Sequence, residues 1–252
     1  MTEKEKPAVL VEACVDSVAS ALAAEAGGAG RIELCDNLVE GGTTPSAATI
    51  AVACERLTIP VFVIVRPRGG DFLYSDLELE IMRRDILQAK ALGAQGVVLG
   101  VLRADGTVDV ARARPLVAAA RPLAVTHHRA FDVTPDPAEA LEAIIELGAD
   151  RVLTSGQAST APEGIEVIAA AVRQAAGRIV ILPGAGIDVS NARRLVEATG
   201  VREIHVRGTS VLPSPMRYRN PRVDFGGRLT AADHLLEVTD PDLIREIVAA
   251  VG

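Results

Sequence analysis

The sequence predicts a single (β/α)8 barrel, the TIM-barrel architecture, and three observations support this prediction. Eight short apolar runs rich in β-branched residues recur along the 252-residue chain, roughly 20 to 35 residues apart. Alanine-rich segments with helical periodicity lie between them, and several of these segments end on a glycine. The runs themselves are almost continuously apolar, which is typical of parallel strands that are covered on both faces.

The predicted elements alternate along the whole chain. The eight strands begin near Val9, Arg31, Val61, Gly96, Leu123, Arg151, Arg178 and Glu203. Four of the helical segments begin at Ser17, Ser46, Leu79 and Pro137, and residues 240–251 form a closing helix. Residues 212–228 are expected to form a long loop after the last strand, and residues 1–7 a disordered N-terminus.

A doubly wound open sheet is the alternative architecture, but such sheets usually have fewer than eight strands. Eight units in about 250 residues match the barrel instead. The chain shows no Pro/Gly/Ser-rich linker and no shift in composition that would divide it. A single domain over 1–252 is therefore expected.

Composition excludes several classes of function. The net charge is −7, aromatic residues make up 2% and Trp is absent, so a nucleic-acid partner is not expected. No apolar run approaches the ~20 residues of a membrane-spanning helix, and the charged N-terminus is unlike a signal peptide, which favours a cytoplasmic protein. Lysine occurs only at positions 4, 6 and 90. None of these lysines is placed for Schiff-base chemistry.

Two strand ends carry the same Glu-x-Cys motif. LVEAC ends with Glu12 and Cys14, and RIELC ends with Glu33 and Cys35. Residues i and i+2 of a strand share a face, and strands 1 and 2 of a barrel are neighbours. The two carboxyls and two thiols should therefore meet inside the barrel mouth. The nearby carboxylates are expected to disfavour thiolates and to favour harder cations.

Polar side chains and glycines mark the ends of other strands as well. The further candidate residues are Arg66, Arg68, His128, Asp132, Gly184, Gly186 and Arg207. The glycine turn after strand 7 occupies the usual phosphate position of a barrel, although glycine also serves tight turns. Charges at this rim could alternatively form a purely structural layer of ion pairs. We expect one contiguous polar cavity that contains both sulfurs together with Glu12, Glu33, Arg66 and His128.

Several motifs together closely resemble the CutC family of copper homeostasis proteins. They are VEAC, RIELC, EGGTTPS, RPRGGDFLYSD, LAVT with HRAFD, RVLTSGQ and SPMRYRN, in order over roughly residues 8 to 220. The resemblance implies a (β/α)8 barrel, a cytoplasmic role in copper homeostasis without an accepted catalysed reaction, and Cu(I) binding by Cys14 and Cys35. His127 stands where the family commonly has an aromatic residue. By parity it should face the helices, and Cys54 lies outside the motifs.

Two functional hypotheses remain open. The first is Cu(I) binding at Cys14 and Cys35, because soft thiolates suit this ion. The second is an enzyme that acts on a small phosphorylated or carboxylated metabolite by acid/base chemistry. Its acid/base set would be Glu12, Glu33, His128 and Asp132, and its anion-binding set Arg66, Arg68, Arg207, Gly184 and Gly186. A homo-oligomer is compatible with both hypotheses.

Overall fold

The computed structural model describes residues 9–218, 220, 222–223 and 234–252. Eight parallel strands form one sheet in the order β7-β6-β5-β4-β3-β2-β1-β8, and β7 lies beside β8, so that the sheet curls into a nearly closed barrel. The strands are β1 Leu10–Val15, β2 Arg31–Leu34, β3 Val61–Ile64, β4 Gly96–Leu99, β5 Ala124–His127, β6 Arg151–Thr154, β7 Val180–Pro183 and β8 Glu203–Val206. The predicted (β/α)8 fold is confirmed.

Eight helices follow or cover these strands. They are α1 Val18–Ala26, α2 Ala47–Arg56, α3 Asp76–Ala91, α4 Val110–Ala120, α5 Pro137–Leu147, α6 Ile165–Ala175, α7 Ala192–Thr199 and α8 Pro241–Val251. Short 3-10 helices span Leu38–Glu40 and Arg129–Val133. Within the described ranges, no helix has both the length and the apolar character needed to cross a membrane.

Side-chain caps explain where several helices begin. Ser17 and Ser46 each accept a hydrogen bond from a backbone N–H of the first turn. The third helix starts at Asp76, before the predicted Leu79, because Ser75 and Glu78 form a reciprocal capping box. The sequence signal for this start is the Ser-x-x-Glu pattern.

A short hairpin follows the barrel. Thr209–Pro213 forms β9 and pairs antiparallel with β10, Leu235–Thr239. The loop predicted over 212–228 therefore begins later, because the β-branched run from Thr209 continues as a strand. Residues 219, 221 and 224–228 of that loop, and the predicted disordered residues 1–7, lie outside the described residues. The hairpin leads into α8, whose Ile244 packs so tightly on Gly27 that a Cβ there would lie 2.6 Å from the Ile244 Cβ.

The strand residues separate into two apolar clusters. One parity, including Ala13 and Leu34, packs under the helices in the main core. The other parity contributes Cys14, Cys35 and Phe62 to a smaller cluster inside the barrel. The cluster inside the barrel is therefore small, and most of the buried apolar side chains lie between the sheet and the helices.

Ion pairs around one aromatic ring fill the amino-terminal half of the barrel interior. Arg31 Nη2 and Arg151 Nε lie 2.6 and 2.8 Å from Glu203 Oε2. The two guanidinium carbons lie 4.8 and 5.3 Å from the centroid of the Phe62 ring. Gly96 makes room for this ring, since a Cβ at that position would lie 2.6 Å from its carbons. This layer closes the barrel below the mouth.

Candidate functional site

Two cysteines meet at the mouth of the barrel. Cys14 near the end of β1 and Cys35 just after β2 are free thiols, and their sulfurs lie 3.8 Å apart. Both are buried, with 7% of Cys14 and 1% of Cys35 exposed. Cys14 is in register with Glu33, and one potential ligand atom from each of these three residues lies within 4.8 Å of the others. Strand pairing alone therefore brings two soft donors and one carboxyl together.

His205 on β8 completes this group, although the sequence analysis did not single it out. It is in register with Glu12, and its Nδ1 lies 2.7 Å from Glu12 Oε1. Its Nε2 lies 3.7 Å from Glu33 Oε2. The interaction of His205 with Cys14 raises the pKa of the imidazole and lowers that of the thiol. One imidazole thus connects both carboxyls to the reactive sulfur.

The Glu12–His205 contact is a charged pair. Burial would raise the pKa of Glu12, but the hydrogen bond to His205 and the positive charge of Arg31 lower it to about 2. Burial would lower the pKa of His205, but its contacts with Cys14 and Glu12 raise it well above the ordinary value. Glu12 is therefore ionised and His205 protonated at neutral pH.

The two thiols differ in charge. The hydrogen bond from Cys35 holds the pKa of Cys14 well below its ordinary value, and His205 acts in the same direction. The same hydrogen bond, together with burial, holds the pKa of Cys35 well above its ordinary value. Burial and the nearby Cys14 charge raise the pKa of Glu33 well above its ordinary value. The interactions therefore favour negative charge on Cys14 and disfavour it on Cys35 and Glu33.

The carboxyls affect the two thiols differently. The sequence analysis expected Glu12 and Glu33 to disfavour a thiolate at this place. For Cys35 this holds, because the charge of Glu33 adds to the Cys14 hydrogen bond and to burial in raising the pKa of Cys35. Glu12 instead pairs with Arg31 and His205, and His205 adds to the Cys35 hydrogen bond in lowering the pKa of Cys14. The sequence analysis could not place these two cationic partners.

A cavity of about 380 Å³ opens above Cys14 at the carboxyl ends of the strands. Three parts of the chain besides Arg129 form its walls: Leu38 and Gly41 after β2, the turn Ala185–Ile187 after β7, and residues 205–208, where β8 ends. The side chains of Arg129 and Arg207 are 43% and 45% exposed. The cavity therefore joins a thiolate at its floor to two guanidinium groups on its walls.

Arg66 and Arg68 do not line this cavity. The guanidinium of Arg66 is buried and donates to the backbone oxygens of Glu40, Gly42 and Gly70 at 2.7 to 2.8 Å. Arg68 donates to Glu78 Oε1 at 2.6 Å and to Asp71. Both arginines therefore hold loop residues in place at the mouth.

His128 and Asp132 are also held away from the cysteine pair. His128 is buried beneath the ring of Phe72, with the two ring centroids 4.8 Å apart, and its Nδ1 accepts a hydrogen bond from the Ala130 N–H. Asp132 accepts hydrogen bonds from the hydroxyls of Thr154 and Ser155 and forms an ion pair with Arg129. The expected single cavity containing Arg66 and His128 is therefore wrong: the cavity above Cys14 is lined by neither residue, and both contact the Phe72 ring instead.

The two glycines after β7 have different environments. Gly184 donates its N–H to the Thr154 oxygen, so it continues the sheet, and a Cβ there would lie 3.0 Å from His205 Cδ2. Gly186 lines the cavity in a left-handed conformation, with φ of 68°. Arg207 lines it as well and lies 3.2 Å from Glu237 of β10.

His127 and Cys54 lie outside the group around Cys14. His127 is buried, and its Nδ1 lies 3.1 Å from the His128 backbone oxygen. Cys54 is half-buried on α2 and packs against the main core. The functional residues that sequence reasoning missed are His205, Arg31 and Arg129. The sequence did contain a signal for His205, because polar residues alternate along strand 8 and His205 lies on the same face as they do.

Comparisons with known proteins identify close relatives. The family model described as the CutC family matches residues 9–210. The mouse protein named copper homeostasis protein cutC homolog is 51% identical over 240 residues, which cover 95% of this chain and 88% of the mouse protein. A family protein CutC of Mesorhizobium japonicum is 49% identical over 249 residues, 99% of this chain and 96% of that protein.

Solved structures show the same architecture. A crystal structure of CutC from Streptococcus agalactiae matches with a TM-score of 0.75 and 36% identity, and covers 79% of this chain and 98% of that one. The N-(5'-phosphoribosyl)anthranilate isomerase of Pyrococcus furiosus matches with a TM-score of 0.56 over 96% of this chain and 98% of that one. At 14% identity, the second match shows a shared fold alone.

Proposed function

The chain belongs to the CutC family, and from this premise we propose that it serves copper homeostasis by binding Cu(I) as cargo between Cys14 and Cys35. The observation that supports the proposal is the pair of free sulfurs, 3.8 Å apart at the mouth of the barrel. The relatives whose names include copper homeostasis match nearly the whole chain.

The donor set fits this ion. Thiolates are soft ligands, and among divalent and monovalent metals of the first row they favour Cu(I) and zinc. With the ~2.3 Å zinc–thiolate bond as a guide, an ion directly between two sulfurs separates them by at most ~4.6 Å. The observed separation therefore needs to widen by less than about 1 Å. The two thiols and the Glu33 carboxyl form the group of potential metal ligands here, and this set is poor for a hard cation.

The local charges favour a monovalent ion. One thiolate at Cys14 lies beside the protonated His205, and Cys35 releases its proton when it becomes the second ligand. Two thiolates and one Cu(I) carry a net charge of −1, which His205 balances across its contact with Cys14. Copper affinity should therefore weaken as the pH falls, because protons compete for the same sulfurs.

An anaerobic competition titration against a Cu(I) chelator tests the proposal. Wild type, Cys14→Ser and Cys35→Ser are compared, with Cys54→Ser as the matched control because Cys54 lies on α2 in the outer helix layer. We expect each of the first two substitutions to weaken Cu(I) binding by at least tenfold and the control to bind like wild type. Equal binding by all four proteins, or no binding by wild type, would refute the proposal.

A second proposed function, an enzyme acting on a small phosphorylated or carboxylated metabolite, is favoured by one observation. The cavity above Cys14 is lined by Arg129 and Arg207, which suit an anion. A thermal-shift screen of such metabolites, at concentrations far above their Kd, tests it through ligand-induced stabilisation. A stabilising compound that is consumed by wild type but not by Arg207→Gln would support an enzyme. A screen without any stabilising compound would count against it.

A further inference from the structure

The cavity exposes only one of the two cysteines. Cys14 lines it, whereas Cys35 is 1% exposed beneath the loop that contains Gly42 and is absent from its walls. A Cβ at Gly42 would lie 3.3 Å from Cys35 Sγ, which shows how closely that loop covers the sulfur. An incoming ion must therefore meet Cys14 first, while its other ligand still points into the cavity.

The walls of the cavity suit the charged end of such a ligand. Arg129 is fixed through its Nε to Asp132 and through its Nη2 to the Ser155 hydroxyl at 2.7 Å. Arg207 is held more loosely by Glu237 at 3.2 Å. Guanidinium groups recognise carboxylates through paired hydrogen bonds. About 380 Å³ of space also lies within the ~300–1,000 Å³ range of small-molecule sites.

We propose that this cavity binds the carboxylate of a small thiol that delivers Cu(I) to Cys14 as a thiolate complex. The inference rests on the proposed Cu(I) function and names the donor for the same site. A thiol is the required class of donor because Cu(I) prefers soft sulfur ligands before transfer as well as after it. The arginines select, among such thiols, those that carry a carboxylate within reach of the walls.

The transfer is a ligand exchange without a redox step. The Cys14 thiolate forms a bond to the Cu(I) of the donor complex, and the Cys35 sulfur forms the second bond as its proton leaves. The bond between copper and the donor sulfur breaks, and the donor thiolate takes up the released proton and departs as a thiol. Copper remains Cu(I), so no oxidant or reductant takes part.

The decisive experiment compares two isosteric copper donors. Anaerobic Cu(I) complexes of 3-mercaptopropionate and of the neutral 3-mercaptopropionamide are mixed with the metal-free protein, and the rate of transfer is measured. We expect wild type to take copper at least about tenfold faster from the carboxylate donor, because tenfold is the lower end of what a hydrogen bond to a charged group contributes. Arg207→Gln and Arg129→Gln should reduce the preference towards one.

A matched control uses Arg84→Gln, because Arg84 lies on α3 with 74% of its side chain exposed, outside the cavity walls. This variant should keep the preference of wild type. If wild type binds Cu(I) from a standard chelator but shows no preference between the two thiol donors, the inference is overturned and the copper proposal stands. If no donor loads the protein, both are refuted.

A copper-free measurement tests the anion subsite separately. Alkylation of Cys14 by the anionic iodoacetate and the neutral iodoacetamide is followed by mass spectrometry, with Cys54 as the internal reference. The ratio of iodoacetate to iodoacetamide rates should be several times higher at Cys14 than at Cys54, and Arg207→Gln should abolish this difference. Equal ratios at the two cysteines in wild type would overturn the inference whether or not copper binds.

Discussion

His205 Nδ1 lies 2.7 Å from Glu12 Oε1, so that a buried charged contact links β8 to β1. Arg31 binds the other oxygen of the same carboxylate. Glu12 is thus the acceptor for two cations, and it does not line the cavity above Cys14. Its role is to hold the imidazole against Cys14.

Replacing this carboxylate should destabilise the fold strongly. Glu12→Gln leaves Arg31 and His205 buried without their common counter-charge, so we expect the free energy of unfolding to fall by about 3–5 kcal/mol. Urea denaturation at pH 7 measures the change. Glu80→Gln removes one partner of an exposed ion pair on α3 and should cost less than about 1 kcal/mol. Equal effects of the two substitutions would contradict this assignment.

The proton on Cys14 should depend on Cys35. In a Cys54→Ala background, the additional Cys35→Ala substitution removes the thiol that hydrogen-bonds the Cys14 thiolate, so the pKa of Cys14 should rise. The ultraviolet absorbance of the thiolate, titrated against pH in metal-free protein, reports the change. Cys14→Ala in the same background leaves Cys35 as the remaining thiol. Its titration shows which part of the absorbance change in the Cys54→Ala protein belongs to Cys35. An unchanged pKa of Cys14 would contradict the role assigned to the hydrogen bond from Cys35.

His127 should make the protein sensitive to mild acid. Burial lowers its pKa from 6.5 to about 4, so the unfolded chain gains a proton before the folded one does. The native state therefore loses stability as the pH falls from about 6.5 towards 4, and about 2 kcal/mol should be lost by pH 5. His127→Phe should remove that part of the loss.

Urea denaturation gives the free energy of unfolding of wild type and His127→Phe at pH 7 and pH 5. The loss between the two pH values in wild type, minus the loss in His127→Phe, is the contribution of His127. The comparison cancels the contribution of His205, whose raised pKa acts in the opposite sense, while the neighbouring His128, whose pKa burial lowers together with the charge of His127, is measured with His127. Parallel pH profiles for the two proteins would show that His127 is not the titrating group.

Gly96 should resist the addition of a single methyl group. A Cβ at this position would lie 2.6 Å from the Phe62 ring, which the arginines of the inner ion layer hold in place. We expect Gly96→Ala to lower the free energy of unfolding by about 1–3 kcal/mol. The smaller side chain of Phe62→Leu should reduce this cost in the double variant, as thermal or urea unfolding would show. An additive double variant would exclude the steric cause.

Much of the fold followed from local signals. The apolar runs and their alternation with helical segments predicted all eight barrel strands, and the parity of Cys14 and Cys35 placed their sulfurs on one face. The hairpin after β8 was missed because its second strand, Leu235–Thr239, pairs across a long separation in sequence. Pairing at such a distance leaves no signature in a short window of residues.

The site was harder to predict than the fold. Parity shows which residues point into the barrel, but not how far a long side chain turns once inside. Arg66 and Arg68 turn to loop carbonyls and to Glu78, and Phe72 closes over His128. These outcomes depend on loop conformations, for which residue type and spacing carry little information.

The packed layer of Phe62, Arg31, Arg151 and Glu203 separates the cysteine site from the amino-terminal end of the barrel, and the described cavity lies on the other side, above Cys14. On the copper proposal, arrival and departure of the ion would both use this opening. A molecule that occupies this opening would trap whatever lies beneath it, and the exit rate would depend on how quickly that molecule leaves. The copper proposal therefore predicts that loading and unloading are separated in time.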